Sequence, residues 1–126
     1  MYLLDTHSFL CFLWDDPKLS ARARRAIQED TPCYVSMCSL WEISIKVSLN
    51  KLTLPGPYRP YIPQQLQINQ FNILPIEFRH TARQSLLPRY HGDPFDRMLI
   101  AQSIEENLIL ISRDAKFAPY GIPLLW

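Results

Sequence analysis

Short apolar runs alternate with helical patterns from one end of this chain to the other, and that alternation constrains the fold more than any other feature. The clearest run is Asn107-Leu108-Ile109-Leu110-Ile111-Ser112, unbroken and rich in β-branched residues. A run that is apolar on both faces suits an interior strand of a parallel sheet. Tyr2-Leu3-Leu4, Cys33-Tyr34-Val35-Ser36 and Asn72-Ile73-Leu74-Pro75-Ile76 read as earlier strands, with Pro75 marking a strand end or a sheet edge. Ile122-Pro123-Leu124-Leu125-Trp126 reads as a last short strand.

Helices are expected between them. One runs through residues 8–14. Another spans 18–29, where Leu19, Ala23, Ala26 and Ile27 fall on one buried face. A third spans 39–49 and is apolar nearly all round, with Trp41, Ile45 and Leu49 on one side and Leu40, Ile43 and Val47 on another, which predicts a largely buried helix. Residues 55–63 hold four prolines and read as a stiff surface loop, with a short helix over 64–70. A helix over 77–87 places Phe78, Ala82 and Leu86 on one face. Strand and helix in strict alternation predict an α/β fold: one domain over residues 1–126, with a parallel sheet of four to five strands and helices on both faces.

The stretch His91-Gly92-Asp93-Pro94-Phe95-Asp96-Arg97-Met98-Leu99-Ile100-Ala101-Gln102 is a turn followed by a helix start. Asp93 suits the N-cap and Pro94 the first helical position, where no N–H is needed. Asp96 then lies near the positive end of the helix dipole. Capping alone accounts for both acids. The rest of the chain adds more, because in a parallel sheet the strand carboxyl ends and the helix N-termini share one edge. Asp5 follows the first strand and Asp114 the fourth. Glu42 lies in the first turn of the helix after the second strand, with Lys46 four residues on as an ordinary ion-pair partner. If the first and fourth strands are neighbours at the switch point of the sheet, Asp5 and Asp114 face one crevice.

Such a cluster needs compensation. Two unit charges about 5 Å apart repel by roughly 3 kcal/mol at an effective dielectric of about 20, so four ionised carboxylates cost on the order of 20 kcal/mol. That exceeds the stability of a typical domain, about 5–15 kcal/mol. Protons or cations must be present, and an oxygen-only donor set favours Mg²⁺ or Mn²⁺. An acidic metal site beside basic residues points to phosphodiester hydrolysis.

Composition narrows the classes. With 48% hydrophobic and 20% charged residues in 126, the chain is long enough and apolar enough for a core. A net charge of +1 gives no global pull toward nucleic acid, so such a role needs local basic groups. Candidates for phosphate contact are Arg79, Arg83, Arg113 and Lys116; Lys18, Arg22, Arg24 and Arg25 form another basic group that reads as a solvated helix face. Met-Tyr-Leu-Leu-Asp carries no signal-peptide pattern, and no apolar run approaches a membrane span. Cys11, Cys33 and Cys38 lack metal or disulfide spacing and suit buried thiols in a reducing, cytoplasmic setting.

The chain resembles the PIN-domain ribonucleases, and among them the VapC-type toxins of bacterial toxin–antitoxin pairs. The resemblance rests on Leu3-Leu4-Asp5-Thr6-His7, on Ser39-Leu40-Trp41-Glu42-Ile43 with Lys46, on the 91–102 stretch, and on Ile111-Ser112-Arg113-Asp114. It implies that Asp5, Glu42, Asp96 and Asp114 are the catalytic, metal-binding acids, with Asp93 an accessory ligand or only the N-cap. It implies supporting hydroxyls at Thr6 and at Ser112, where the family commonly has Thr. It further implies Mg²⁺ or Mn²⁺, RNA as substrate, a homodimer and a cognate antitoxin. His7 and His91 flank the acids and read as local hydrogen-bonding residues. The competing expectation is a catalytically silent PIN-like binding or regulatory module. A phosphoacceptor receiver fits poorly, because Thr6 follows Asp5 where that class has a second acid, and the third strand does not close on an Asp.

Overall fold

Strand ends double as helix starts, and this keeps the strands short. In the computed structural model, which describes residues 1–126, Asp5 directly follows β1 (Tyr2–Leu4) and its side chain caps α1 (Thr6–Leu13). Ser36, the last residue of β2 (Cys33–Ser36), caps α3 (Met37–Ser48) in the same way, after α2 (Ala21–Gln28). The chain continues through α4 (Tyr58–Ile68), β3 (Asn72–Leu74), α5 (Phe78–Leu86), α6 (Pro94–Glu106), β4 (Ile109–Ile111), a 3-10 helix (Ala115–Tyr120) and β5 (Leu124–Leu125).

The five strands form one parallel sheet in the order β3-β2-β1-β4-β5. Leu4 is in register with Val35 on one side and Ile111 on the other. Successive strand residues face opposite ways, so two cores result. Leu4, Val35 and Ile111 pack with Phe9, Ile27, Ile43, Ile62 and Leu66. Leu3 and Leu110 pack with Leu99, Ile100 and Phe117 on the other face. Helices thus cover both faces, as expected, and β3 is an edge strand that ends before Pro75. All three cysteines are buried free thiols.

Four expectations need correction. The proline-rich stretch is a loop only to Pro57; helix α4 starts at Tyr58 and contains both Pro60 and Pro63. Pro60 sits in the first turn, where an N–H has no helical partner, so only Pro63 forfeits a backbone bond. Helix α2 starts at Ala21 behind the Ser20 cap, leaving Lys18 and Leu19 in the preceding turn. Helix α3 is buried on one side only: Trp41 is 59% exposed and Leu49 also faces solvent. Helix α5 is reversed from its periodicity. Phe78 is 87% exposed and Leu86 is exposed, while the side toward α6 carries buried His80 and the ion pairs Arg79–Glu106 and Arg83–Glu105. Polar pairing, rather than apolar burial, holds that helix in place.

Candidate active site

The strand order reverses direction between β1 and β4, and the carboxyl ends of these two neighbours carry Asp5 and Asp114. Open α/β sheets bind ligands outside such a switch point. A cleft of about 530 Å³ opens there, lined by Asp5, Thr6, Glu42, Asp96 and Asp114 together with His7, Lys46 and Arg113.

Each acid is fixed by backbone that the sequence folds for local reasons. Asp5 Oδ1 accepts the Ser8 N–H at 2.7 Å as the cap of α1. Ser112 acts on Asp5 to lower its carboxyl, and Ser112 Oγ accepts the Asp114 N–H at 3.0 Å. One serine therefore stands between the first acid and the last. Asp114 caps the 3-10 helix, its Oδ1 accepting from the Lys116 N–H at 3.0 Å. Asp93 caps α6 through the Asp96 N–H at 3.0 Å and does not line the cleft. Glu42 is anchored at both oxygens: Thr6 Oγ1 donates to Oε1 at 2.7 Å, and Lys46 Nζ lies 3.3 Å from Oε2.

Two of the acids are held toward their neutral forms. Burial raises the Asp5 carboxyl despite the serine donors and nearby His7. Burial likewise raises Asp96 to about 6; the His91 hydrogen bond pulls it down, and the charges of Asp93 and Glu42 push it up. A cation in the cleft would reverse both effects. The donor set, carboxylates with one imidazole alongside, fits a divalent ion.

The expected acids Asp5, Glu42, Asp96 and Asp114 share one cleft, and Thr6 and Ser112 are the hydroxyls that orient two of them. Arg113 lines the cleft. Arg79, Arg83 and Lys116 do not, and the two arginines are engaged with Glu77, Glu105 and Glu106. His91 does not line the cleft and is the local hydrogen-bonding residue expected beside the acids. Its Nε2 lies 2.7 Å from Asp96 Oδ2, and one ligand atom each of His91, Asp96 and Asp114 lie within 4.8 Å of one another. The Gly92 turn brings it back to Asp96, five residues on.

A family model described as PIN domain matches residues 2–122. Similar solved structures include VapBC2 from Rickettsia felis bound to a promoter DNA fragment, at 15% identity over 98% of this chain and 96% of that chain, with a TM-score of 0.73. FitAcB from Neisseria gonorrhoeae is 19% identical over 100% and 97% of the two chains, with a TM-score of 0.72. A toxin–antitoxin complex from Klebsiella pneumoniae is 20% identical over 100% and 97%, with a TM-score of 0.67. At these identities the likeness is one of fold. No curated protein matches the chain. No helix is long and apolar enough to cross a membrane.

Proposed function

The chain belongs to the PIN domain family, and from that premise we propose that it is a metal-dependent endoribonuclease, the toxin of a bacterial toxin–antitoxin pair inhibited by a cognate antitoxin. The observation that carries this reading is the meeting of Asp5, Glu42, Asp96 and Asp114, from four separate segments, in one cleft at the carboxyl edge of the sheet. Similar folds occur in VapBC2 and in a toxin–antitoxin complex, which supports the partner assignment. The protein would act in the cytoplasm as a homodimer.

The four acids would hold Mg²⁺ or Mn²⁺, as one or two ions, with Asp93, outside the cleft lining, serving as the N-cap of α6. The bound ion supplies an activated water and stabilises charge on the phosphoryl oxygens of RNA. The chain's own groups prepare the site. Ser8 and Ser112 orient Asp5, and Thr6 orients Glu42. Lys46 and Arg113 present positive charge to the phosphodiester backbone from the cleft wall.

The test is cleavage of single-stranded RNA by the purified protein with Mg²⁺ or Mn²⁺, set against EDTA and Asp96→Asn. Cleavage should vanish in both controls, and cleavage that persists in EDTA refutes the metal mechanism. Expression alone should be toxic, and co-expression with an antitoxin, sought in the adjacent gene, should abolish toxicity and yield a stable complex.

A further inference from the structure

We propose that His91 is a nitrogen ligand in the metal site, set against Asp96 and Asp114 by a clamp built from Arg97 and Tyr120, so that the site selects Mn²⁺ over Mg²⁺. The proposal rests on the reading above that the cleft holds a divalent ion.

The spacing supports it. Two ligands at about 2.1 Å from one octahedral ion lie roughly 3 Å apart when adjacent and roughly 4.2 Å apart when opposite. His91 Nε2 and Asp96 Oδ2 are 2.7 Å apart, and the group completed by Asp114 falls within 4.8 Å. An ion bound among the three would replace the His91–Asp96 hydrogen bond at the edge of the cleft, whose lining includes Asp96 and Asp114.

The second support is the effort spent on the loop that carries His91. Arg97 is buried, yet every partner of its guanidinium is an uncharged oxygen: the carbonyls of Gln84, Leu87, Pro88 and His91 and the Tyr120 hydroxyl. The Tyr120 hydroxyl also accepts the His91 N–H at 2.9 Å and donates to the Pro88 carbonyl at 2.9 Å. A buried cation without a carboxylate is costly. Here it fixes the backbone on both sides of Arg89 and Tyr90 and ends at His91. The Gln84 and Leu87 contacts alone would close the end of α5; those to Pro88 and His91 extend the clamp to the loop.

An all-oxygen shell suits Mg²⁺, whereas imidazole belongs with the first-row transition ions. One nitrogen in the set shifts preference toward Mn²⁺.

The experiment is Mn²⁺ and Mg²⁺ titration of the whole protein, with pulsed electron paramagnetic resonance of the Mn²⁺ form, for the wild type, His91→Gln and His7→Gln. Expected are ¹⁴N coupling to Mn²⁺ in the wild type and in His7→Gln, loss of that coupling in His91→Gln, and a Mn²⁺ Kd raised about tenfold or more in His91→Gln with the Mg²⁺ Kd moved less. Mn²⁺ bound without nitrogen coupling, or coupling that survives in His91→Gln, overturns the proposal even if RNA is cleaved. Nitrogen-coupled Mn²⁺ with no RNA cleavage upholds the ligand and sinks the nuclease reading instead. No Mn²⁺ bound at millimolar concentration overturns the ligand and the metal together.

Discussion

Thr6 Oγ1 donates to Glu42 Oε1 at 2.7 Å across 36 positions of sequence, joining the first turn of α1 to the first half of α3. With Lys46 on the other oxygen, the bond leaves Glu42 one orientation toward the cleft. Thr6→Val keeps the shape and removes the donor. Hydrogen bonds to charged groups contribute about 1.5–3 kcal/mol, so kcat for RNA cleavage should fall about tenfold or more, with KM little changed. Thr6→Ser should recover most of the loss. An unaltered kcat in Thr6→Val would remove Thr6 from the machinery.

The acids also set how stability varies with pH. Asp96 is raised from 3.8 to about 6, so the folded state holds its proton more tightly than the unfolded state does. The contribution of Asp96 to the stability of the metal-free protein is therefore fully present below about pH 4. It falls as pH rises through 6, and the penalty is full above that. The full rise would correspond to about 3 kcal/mol, and solvent screening at this partly exposed carboxyl reduces that figure. Asp5 is shifted in the same direction and adds to the trend. Urea titrations from pH 4 to 7 should show the decline, a shallower one in Asp96→Asn, and a reduced one with saturating Mn²⁺.

These residues show why much of the site was legible in the sequence. Asp5, Asp93, Asp96 and Asp114 all stand at helix starts, and topology sends helix starts to the same sheet edge as strand ends. The pattern of residue types identifies that edge before any coordinates exist. What it does not carry is which side of a helix has a neighbour. Trp41 and Phe78 satisfy helical periodicity and still face solvent, because α3 is covered on one side and α5 meets α6 through His80 and ion pairs. His91 was legible as a hydrogen-bonding residue beside the acids, but its particular partner was not, for a related reason. Its place beside Asp96 depends on the loop from Leu87 to Gly92, which is shaped by Arg97 and by Tyr120 some 30 residues later.

That loop makes Arg97 a stability prediction as well. Arg97→Met would leave several carbonyls around α5 and the loop without their donor. The cost should be about 3 kcal/mol or more, read as a lower urea midpoint at unchanged m value. Tyr120→Phe removes the acceptor for the His91 N–H and for Arg97 Nη1 and the donor to Pro88, but leaves the carbonyl partners of Arg97 in place, so its cost should be about 1 kcal/mol. A Tyr120→Phe protein as unstable as Arg97→Met would mean that the hydroxyl, rather than the guanidinium, organises the loop.

The last prediction separates the basic residues. Arg113 lines the cleft, whereas Arg83 Nε lies 2.6 Å from Glu105 Oε1 on the α5–α6 surface, outside the cleft. Each phosphate contact adds about one unit to the slope of log affinity against log salt, somewhat less for single strands. RNA binding by the Asp96→Asn protein, which permits equilibrium measurement without cleavage, should lose close to one such unit when Arg113→Gln is added. Adding Arg83→Gln should leave the slope unchanged, and its effect should be confined to a few tenths of a kcal/mol of stability from the lost ion pair. A slope that falls with Arg83→Gln and stays constant with Arg113→Gln would place the RNA path over α5 instead of along the cleft wall beside Asp114.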